Sequence, residues 1–177
     1  MPLTAAPRST RPEPTEHSPY YGTYIAHVPD GDVVDALARE ADGILPLLRA
    51  LPESLGGKRY AEGKWSIREV VGHITDTERV FAYRAMRFAR KDETELPGFD
   101  ENAFVASGSF DSRTLASLCE EFQAVRAATV CLFRSLTPEE WVRQGTANRA
   151  RMSVRAFAWI TAGHELHHVG VLKSRYL

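Results

Sequence analysis

The C-terminal segment of the chain contains a cluster of histidines that could bind a metal ion. Three of the six histidines are His164, His167 and His168. His164 and His168 are four residues apart, and side chains at positions i and i+4 lie one above the other on the same face of a helix. Both imidazoles can therefore reach one cation, and metal binding is the first chemistry that this sequence indicates.

The same run also matches a peptidase motif. His164-Glu165-Leu166-His167-His168 fits the H-E-x-x-H pattern, in which the glutamate is the general base of a zinc peptidase. The commoner peptidase families take a third ligand from further along the chain, but the residues after His168 contain no His, Asp, Glu or Cys. This argues against a peptidase. For the pair alone, an alternative remains, namely buried histidines near a helix end that are satisfied by backbone or carboxylate groups.

A third histidine, His73, lies in a segment with a well-marked helix start. Ser66 and Glu69 form an S-x-x-E capping box, and Trp65 and Val70 occupy the two positions of a hydrophobic staple. The helix is predicted to begin at Ser66, which places His73 two turns inside it. There it borders the apolar stripe and can face the interior of a bundle.

The C-terminal histidine pair occupies a helix face that is otherwise buried. Steps of four, three, four and three residues connect Phe157, Thr161, His164, His168 and Val171. Two neighbouring imidazoles on such a face are costly unless each polar nitrogen has a partner. A shared cation would supply one partner for both.

Two acidic residues are candidates for a catalytic role beside the histidines. Glu165 could orient a ligand or act as a base, and Asp76, three residues after His73, could orient a ligand or transfer a proton. Asp76 is equally compatible with a plain surface charge. His167 is expected to be a surface or capping histidine near the helix C-terminus.

The remaining pattern predicts an all-α protein with four amphipathic helices and no strands. The first helix runs from about Asp30 or Asp32 to about Leu51, with a break near Asp42 to Leu45 caused by Pro46. The second extends from Ser66 to about Arg90. The third covers 115–136 with Asp111 or Ser112 as its cap, a short helix follows at Thr137-Pro138, and the fourth starts after Ser153.

Two segments outside these helices also carry predictions. Residues 1–18 are rich in Pro, Thr, Ser and Glu and are predicted to be a disordered tail, which leaves 19–177 as one domain. Tyr20–Ile25 is predicted to lie against the bundle as an extended strap. Residues 91–110 form a long crossover loop, and within it 96–104 either walls a pocket or simply crosses the bundle.

Composition excludes several classes of function. The chain has 177 residues and a formal net charge of -1, with no cluster of basic residues that would follow nucleic-acid phosphates. It has no apolar run long enough to cross a membrane and no signal-peptide core. Cys119 and Cys131 are too far apart on one helix to pair, which is typical of reduced cysteines. A cytoplasmic protein is expected.

The motifs in their order resemble those of the DinB superfamily of four-helix proteins. The resemblance rests on the segment from Trp65 to His73 with the following Asp76 and Glu78, on Leu96-Pro97-Gly98-Phe99-Asp100, and on Gly163 to His168. It implies a four-helix bundle and a three-histidine metal site, which here would be His73, His164 and His168. It further implies nickel, zinc or iron as the metal, water at the remaining positions, and homodimers in many members.

The resemblance also extends to thiol-dependent enzymes such as bacillithiol and mycothiol S-transferases and maleylpyruvate isomerase. It therefore implies a metal-dependent enzyme that acts on a small-molecule substrate, first of all by thiol S-transferase-like chemistry with a low-molecular-weight thiol as cosubstrate. A metal-dependent hydrolase is the close alternative. A metal-binding stress protein without turnover is the alternative from a different class.

Overall fold

The computed structural model describes residues 7–39 and 43–177 of the chain. Over this part it is a helical bundle with one small two-stranded sheet, so the predicted all-α four-helix fold is confirmed. The helices are α1 (Gly22–Ile25), α2 (Val33–Ala38), α3 (Ile44–Arg49), α4 (Ile67–Ala89), α5 (Glu101–Ser107), α6 (Leu115–Arg134), α7 (Pro138–Trp141) and α8 (Val154–Val171). A π-helical turn, Leu172–Tyr176, follows α8. Within the described ranges, no helix is long and apolar enough to span a membrane.

The starts of the long helices are set by local capping. Ser66 accepts a hydrogen bond from the Glu69 N–H while the Glu69 side chain accepts one from the Ser66 N–H, so the predicted capping box is present. Ser153 caps α8 in a similar way by accepting from Ala156. For α6 the predicted cap, Asp111 or Ser112, was wrong, because the N-cap residue is Thr114, which accepts from the Ser117 N–H. The Asp111 carboxylate is used elsewhere, where it accepts a hydrogen bond from the Ser66 hydroxyl.

The first helix of the bundle is divided into two pieces. α2 ends at Ala38 and α3 begins at Ile44, with Gly43 as its N-cap residue. Pro46 is the third residue of α3, in the first turn, where a missing N–H breaks no intrahelical hydrogen bond. The break that Pro46 predicted is therefore present, although Asp42 itself lies outside the described residues.

The small sheet was not predicted. Strands β1 (Gln144–Ala147) and β2 (Ala150–Ser153) pair antiparallel through a two-residue turn. The turn residues Asn148 and Arg149 have φ of 50° and 63°, which is the geometry of a type I′ hairpin. Such short strands without alternating hydrophobicity give little signal, and arginine replaces the glycine that usually marks this turn.

The N-terminal segment folds along α8 in short helical turns. Tyr20–Ile25, predicted as an extended strap, consists of a 3₁₀ turn followed by α1. Upstream, the Glu16 carboxylate is buried and accepts a 2.8 Å hydrogen bond from Arg155 Nε on α8. Of the segment predicted to be a disordered tail, residues 7–18 are described, and 1–6 lie outside the described residues.

Two apolar cores lie on either side of a polar layer. On α4 the residues up to Ile74 belong to one core, and those from Phe81 belong to the other. On α8 the order is reversed: the residues up to Ala162 belong to the core that contains Phe81, and Val169 belongs to the core that contains Ile74. The stretches between these limits hold the polar residues Thr77, Glu78, His164, Glu165 and His168, and His73 lies at the border. The three histidines, Glu78 and Glu165 thus lie at one level of the bundle, between the two apolar cores.

Gly163 allows α1 to approach α8 closely, and its replacement by alanine is expected to destabilise the protein. A Cβ atom at Gly163 would lie 2.0 Å from the backbone oxygen of Tyr24. Because backbone must then move, we expect a loss of about 1–3 kcal/mol in the free energy of unfolding. Gly170→Ala on the same helix is the matched control, since nothing lies within 4 Å of its added Cβ. It should gain about 0.5–1 kcal/mol from helix propensity. Equal effects of the two substitutions in urea unfolding would contradict this account.

Candidate metal centre

Three imidazoles converge between α4 and α8. His73 Nε2 lies 3.0 Å from His164 Nε2, and His168 Nε2 lies 3.2 Å from His164 Nε2. One nitrogen from each ring can be chosen so that all three lie within 4.8 Å of one another. His73 and His164 are buried, and His168 is half-buried. The structure therefore brings together the three residues that were predicted as metal ligands.

The arrangement of nitrogens fits a cation better than it fits hydrogen bonds alone. A neutral imidazole has one N–H and one acceptor nitrogen, so His164 Nε2 cannot pair well with both neighbours at once. His168 Nδ1 is also buried without a hydrogen-bond partner among the described residues. A divalent cation would accept the three Nε2 lone pairs together, and neutral imidazole is a common ligand for first-row metals.

Burial keeps these histidines in the neutral form that binds metal. Removal from water lowers the pKa of His73 to about 4 and the pKa of His168 to about 3, and nearby histidines contribute to both shifts. Burial followed by the neighbouring histidines places the pKa of His164 well below 6.5. At neutral pH no proton has to leave before a cation can bind.

Aromatic rings enclose the cluster. The Trp65 ring lies 4.7 Å from the His73 ring, centroid to centroid. The Tyr24 ring packs edge-on against His164 at 5.3 Å, and its hydroxyl is 2.9 Å from that of Tyr20. Burial is the main cause that raises the pKa of Tyr24, so its hydroxyl stays protonated at neutral pH. These rings exclude water from much of the imidazole surface.

Two cavities reach the cluster from different sides. The first, which we call the Arg84 cavity, has a volume of 310 Å³. Its lining includes His73 and His164 together with Tyr24, Arg84 and Phe99. The second, which we call the Trp65 cavity, also measures 310 Å³. Its lining includes Trp65, Asn102 and His168. The crossover between α4 and α6 contributes to both cavities, so this loop walls the pocket.

The two predicted catalytic carboxylates are directed elsewhere. The Glu165 Oε1 atom accepts a 2.8 Å hydrogen bond from the Ile44 N–H, and Oε2 accepts a 2.6 Å hydrogen bond from Arg126. Asp76 lies at the surface and pairs with Arg79 at 3.1 Å. The structure therefore does not bring either carboxylate to the three histidines. The Glu165 carboxylate instead contacts Ile44 at the start of α3 and Arg126 on α6. Asp76 is paired with Arg79, as expected for the plain surface charge that was the alternative to a catalytic role.

A buried ion network beside the cluster was missed by the sequence reasoning. Arg126 donates from Nε and Nη2 to Glu78 at 2.9 and 2.8 Å, and from Nη1 to Glu165 and to the Leu37 carbonyl oxygen. Burial alone would lower the pKa of Arg126, but the two carboxylates raise it overall. The signal was available, since Arg126 lies four residues from both Phe122 and Val130 on the buried face of α6.

The family is established by sequence. Residues 36–172 match the model of the DinB superfamily, and the chain belongs to this superfamily. A relative from Oceanobacillus iheyensis, named "Putative metal-dependent hydrolase OB0413", is 29% identical over 119 residues, which are 66% of this chain and 67% of the relative.

Solved structures show the same fold at low sequence identity. YfiT from Bacillus subtilis, described as a "probable metal-dependent hydrolase with an unusual four-helix bundle topology", superposes with a TM-score of 0.62 and 16% identity over 93% of each chain. The mycothiol-dependent maleylpyruvate isomerase superposes with a TM-score of 0.67 at 13% identity. The superposition covers 82% of this chain and 61% of the isomerase. The DinB-like protein YjoA from Bacillus subtilis superposes with a TM-score of 0.59 at 19% identity. The superposition covers 82% of this chain and 90% of YjoA.

Proposed function

We propose that this protein is a metal-dependent enzyme whose divalent cation is held by His73, His164 and His168. The observation that carries the proposal is the convergence of three imidazoles, two buried and one half-buried, on one point between α4 and α8. The name of the Oceanobacillus relative and the description of YfiT support a metal-dependent activity. Nickel, zinc and iron are all compatible with three imidazole ligands.

The chain's own residues would prepare this site in three ways. A cation bound by the three histidines would supply Lewis-acid chemistry toward a thiol or a water molecule. The histidines stay unprotonated because they are buried, and Trp65 and Tyr24 cover their rings. The ion network joins Arg126 on α6 to Glu78 on α4 and Glu165 on α8. It thereby fixes α4 and α8, the two helices that carry the three histidines, relative to α6.

The geometry favours thiol S-transferase-like chemistry over hydrolysis. Such a reaction needs room for two molecules, a low-molecular-weight thiol and an electrophilic substrate, and two cavities reach the histidines from different sides. A thiol also loses its proton more readily than water, so it depends less on a protein base. Glu165 and Asp76, the two carboxylates considered for that task, are engaged elsewhere.

Hydrolysis is the second candidate reaction, and the names given to two similar proteins support it. The Oceanobacillus protein and YfiT are both described as metal-dependent hydrolases. For this chain, a hydrolase would need a proton acceptor other than Asp76 or Glu165. The carboxylate in the lining of the Arg84 cavity is Glu101, at the N-terminus of α5, and it is the residue that we would assign to that role.

The two reactions can be separated by their need for thiol. Untagged full-length protein is stripped of metal and reloaded with one equivalent of nickel, zinc or iron(II). Each form is then incubated with an electrophile, 1-chloro-2,4-dinitrobenzene, and with cysteine, coenzyme A, mycothiol or bacillithiol in turn. We expect saturable consumption of at least one thiol. A parallel assay with nitrophenyl esters and no thiol detects hydrolysis.

Matched histidine variants give this assay its control. His73→Ala should lose the activity, whereas His17→Ala should keep it, because His17 lies in the N-terminal segment and bonds to the Ser18 carbonyl oxygen. Ester hydrolysis without thiol consumption would replace the transferase by the hydrolase. A protein that binds metal but turns over neither class of substrate would contradict the enzyme proposal and favour a metal-binding protein without catalysis.

A further inference from the structure

Arg84 is a buried cation without a counter-ion in the cavity beside the histidines. The residue is only 4% exposed and lies on α4. Within residues 7–39 and 43–177, its guanidinium donates a 2.6 Å hydrogen bond from Nη2 to the Pro97 carbonyl oxygen, interacts with the Tyr21 hydroxyl, and forms no ion pair. It stacks over the Phe99 ring at 5.7 Å. Burial lowers the pKa of Arg84, and an interaction with Tyr21 offsets part of this shift.

The bond to Pro97 does not explain why this position carries a charge. One carbonyl oxygen needs one N–H, which a neutral side chain could donate. A buried guanidinium without a carboxylate partner costs free energy, because a neutral carbonyl or hydroxyl oxygen replaces only part of the hydration that the charge loses. Arg126 on α6, whose side chain is 12% exposed, is by contrast paired with two carboxylates. The unpaired charge of Arg84 is therefore best explained by a partner that is not part of the chain.

The histidines and Arg84 share one helix face and one cavity. His73, Thr77, Phe81 and Arg84 follow each other on α4 at steps of four, four and three residues, and all of them line the Arg84 cavity. Eleven residues separate His73 from Arg84, which is about 16 Å along the helix axis. Long helical side chains point back toward the N-terminus, so the guanidinium lies closer to the histidines than its Cα atom does.

We infer that Arg84 binds a carboxylate on the substrate of the three-histidine site, so that this substrate is a small organic acid. That the bound acid is a substrate rests on the proposed function. That Arg84 binds an anion does not. Guanidinium offers a planar pair of donors that matches a carboxylate. Rings from Tyr21, Phe81 and Phe99 line the cavity that Arg84 shares with His73 and His164, and they suit an apolar or aromatic body.

The other groups in the cavity are consistent with a single anionic group on the ligand. Tyr20, Tyr21 and Tyr24 offer hydroxyls, and the Asn148 side chain offers an amide. Glu101 is exposed and is the acidic residue of the lining; it forms no ion pair with Arg84 within the described residues. Because it would repel a carboxylate, Glu101→Gln should strengthen binding of the acid.

A matched acid and amide test the inference without any turnover. Binding of 4-phenylbutyrate and of 4-phenylbutanamide to the full-length chain is measured by ligand-observed NMR titration, in the metal-free and zinc-loaded forms. We expect the acid to bind at least about tenfold more tightly than the amide in both forms, since hydrogen bonds to charged groups are the stronger ones. Equal affinity of acid and amide for the wild-type chain would overturn the inference.

Variants assign the preference to Arg84. Arg84→Met and Arg84→Gln should each abolish the preference for the acid, and the glutamine also keeps a donor for Pro97. Arg79→Met is the control, because Arg79 is an exposed arginine on the same helix that pairs with Asp76 and Glu121. A preference that survives both Arg84 variants would overturn the inference, and so would a preference confined to the zinc-loaded form. Failure of the thiol assay would leave this binding result unchanged, so the two proposals fail separately.

Discussion

Replacing His164 by alanine is expected to abolish metal binding. His164 Nε2 is the middle atom of the cluster, 3.0 Å from His73 Nε2 and 3.2 Å from His168 Nε2. Without it, two imidazoles remain on different helices. Elemental analysis of untagged protein should show about one equivalent of metal in the wild-type chain and less than about a tenth of that in the variant, because removal of a ligand costs more than the 10–100-fold typical of its outer-shell partners.

The neighbouring histidine provides a control on the same helix. His167 is half-buried and packs near the rings of Tyr24 and His27, and it does not belong to the group of three converging nitrogens. His167→Ala should therefore keep its metal. Retention of a full equivalent by His164→Ala, or equal losses in the two variants, would show that the cation is held elsewhere. No metal in the wild-type chain after reconstitution with nickel, zinc and iron would remove the basis of the enzyme proposal.

The three-histidine cluster was predictable because its residues conflict with their surroundings. His164 and His168 lie on a helix face that also carries Phe157 and Val171. His73 follows a helix start that the capping box of Ser66 and Glu69 marks. Both signals are local. Helical periodicity then suffices to place the side chains on inward faces, and the bundle brings the two faces together.

The roles of the charged residues were less predictable because they depend on distant partners. The neighbour of Glu165 in sequence is His164, but its carboxylate contacts Arg126 and the N–H of Ile44, which is 121 residues away. Periodicity does not report which way such a side chain turns. Arg84 and Arg126 also lie among apolar residues of α4 and α6, so the criterion that identified the histidines would have identified both arginines.

Removing the charge of Arg126 is expected to cause the largest loss of stability among the variants considered. Its guanidinium bridges Glu78 and Glu165, whose side chains are 1% and 7% exposed. Arg126→Met keeps an unbranched apolar side chain, but it removes the guanidinium that lies 4.9 Å over the Phe122 ring and leaves two buried carboxylates without their cation. We expect a loss of about 3–5 kcal/mol in the free energy of unfolding, measured by urea denaturation of the metal-free protein.

Two comparisons identify the unpaired charges as the cause of this loss. Arg79→Met breaks exposed ion pairs with Asp76 and Glu121 and should cost less than about 1 kcal/mol. Adding Glu78→Gln and Glu165→Gln to Arg126→Met removes the buried charges and should recover a large part of the stability, because neutral groups cost less to bury. A loss from Arg126→Met no larger than that from Arg79→Met, or a triple variant no more stable than the single one, would contradict this explanation. If the triple variant recovers most of the free energy of unfolding, a largely uncharged layer folds nearly as well as the ion network. The main role of the network would then be to position the two helices that carry the histidines.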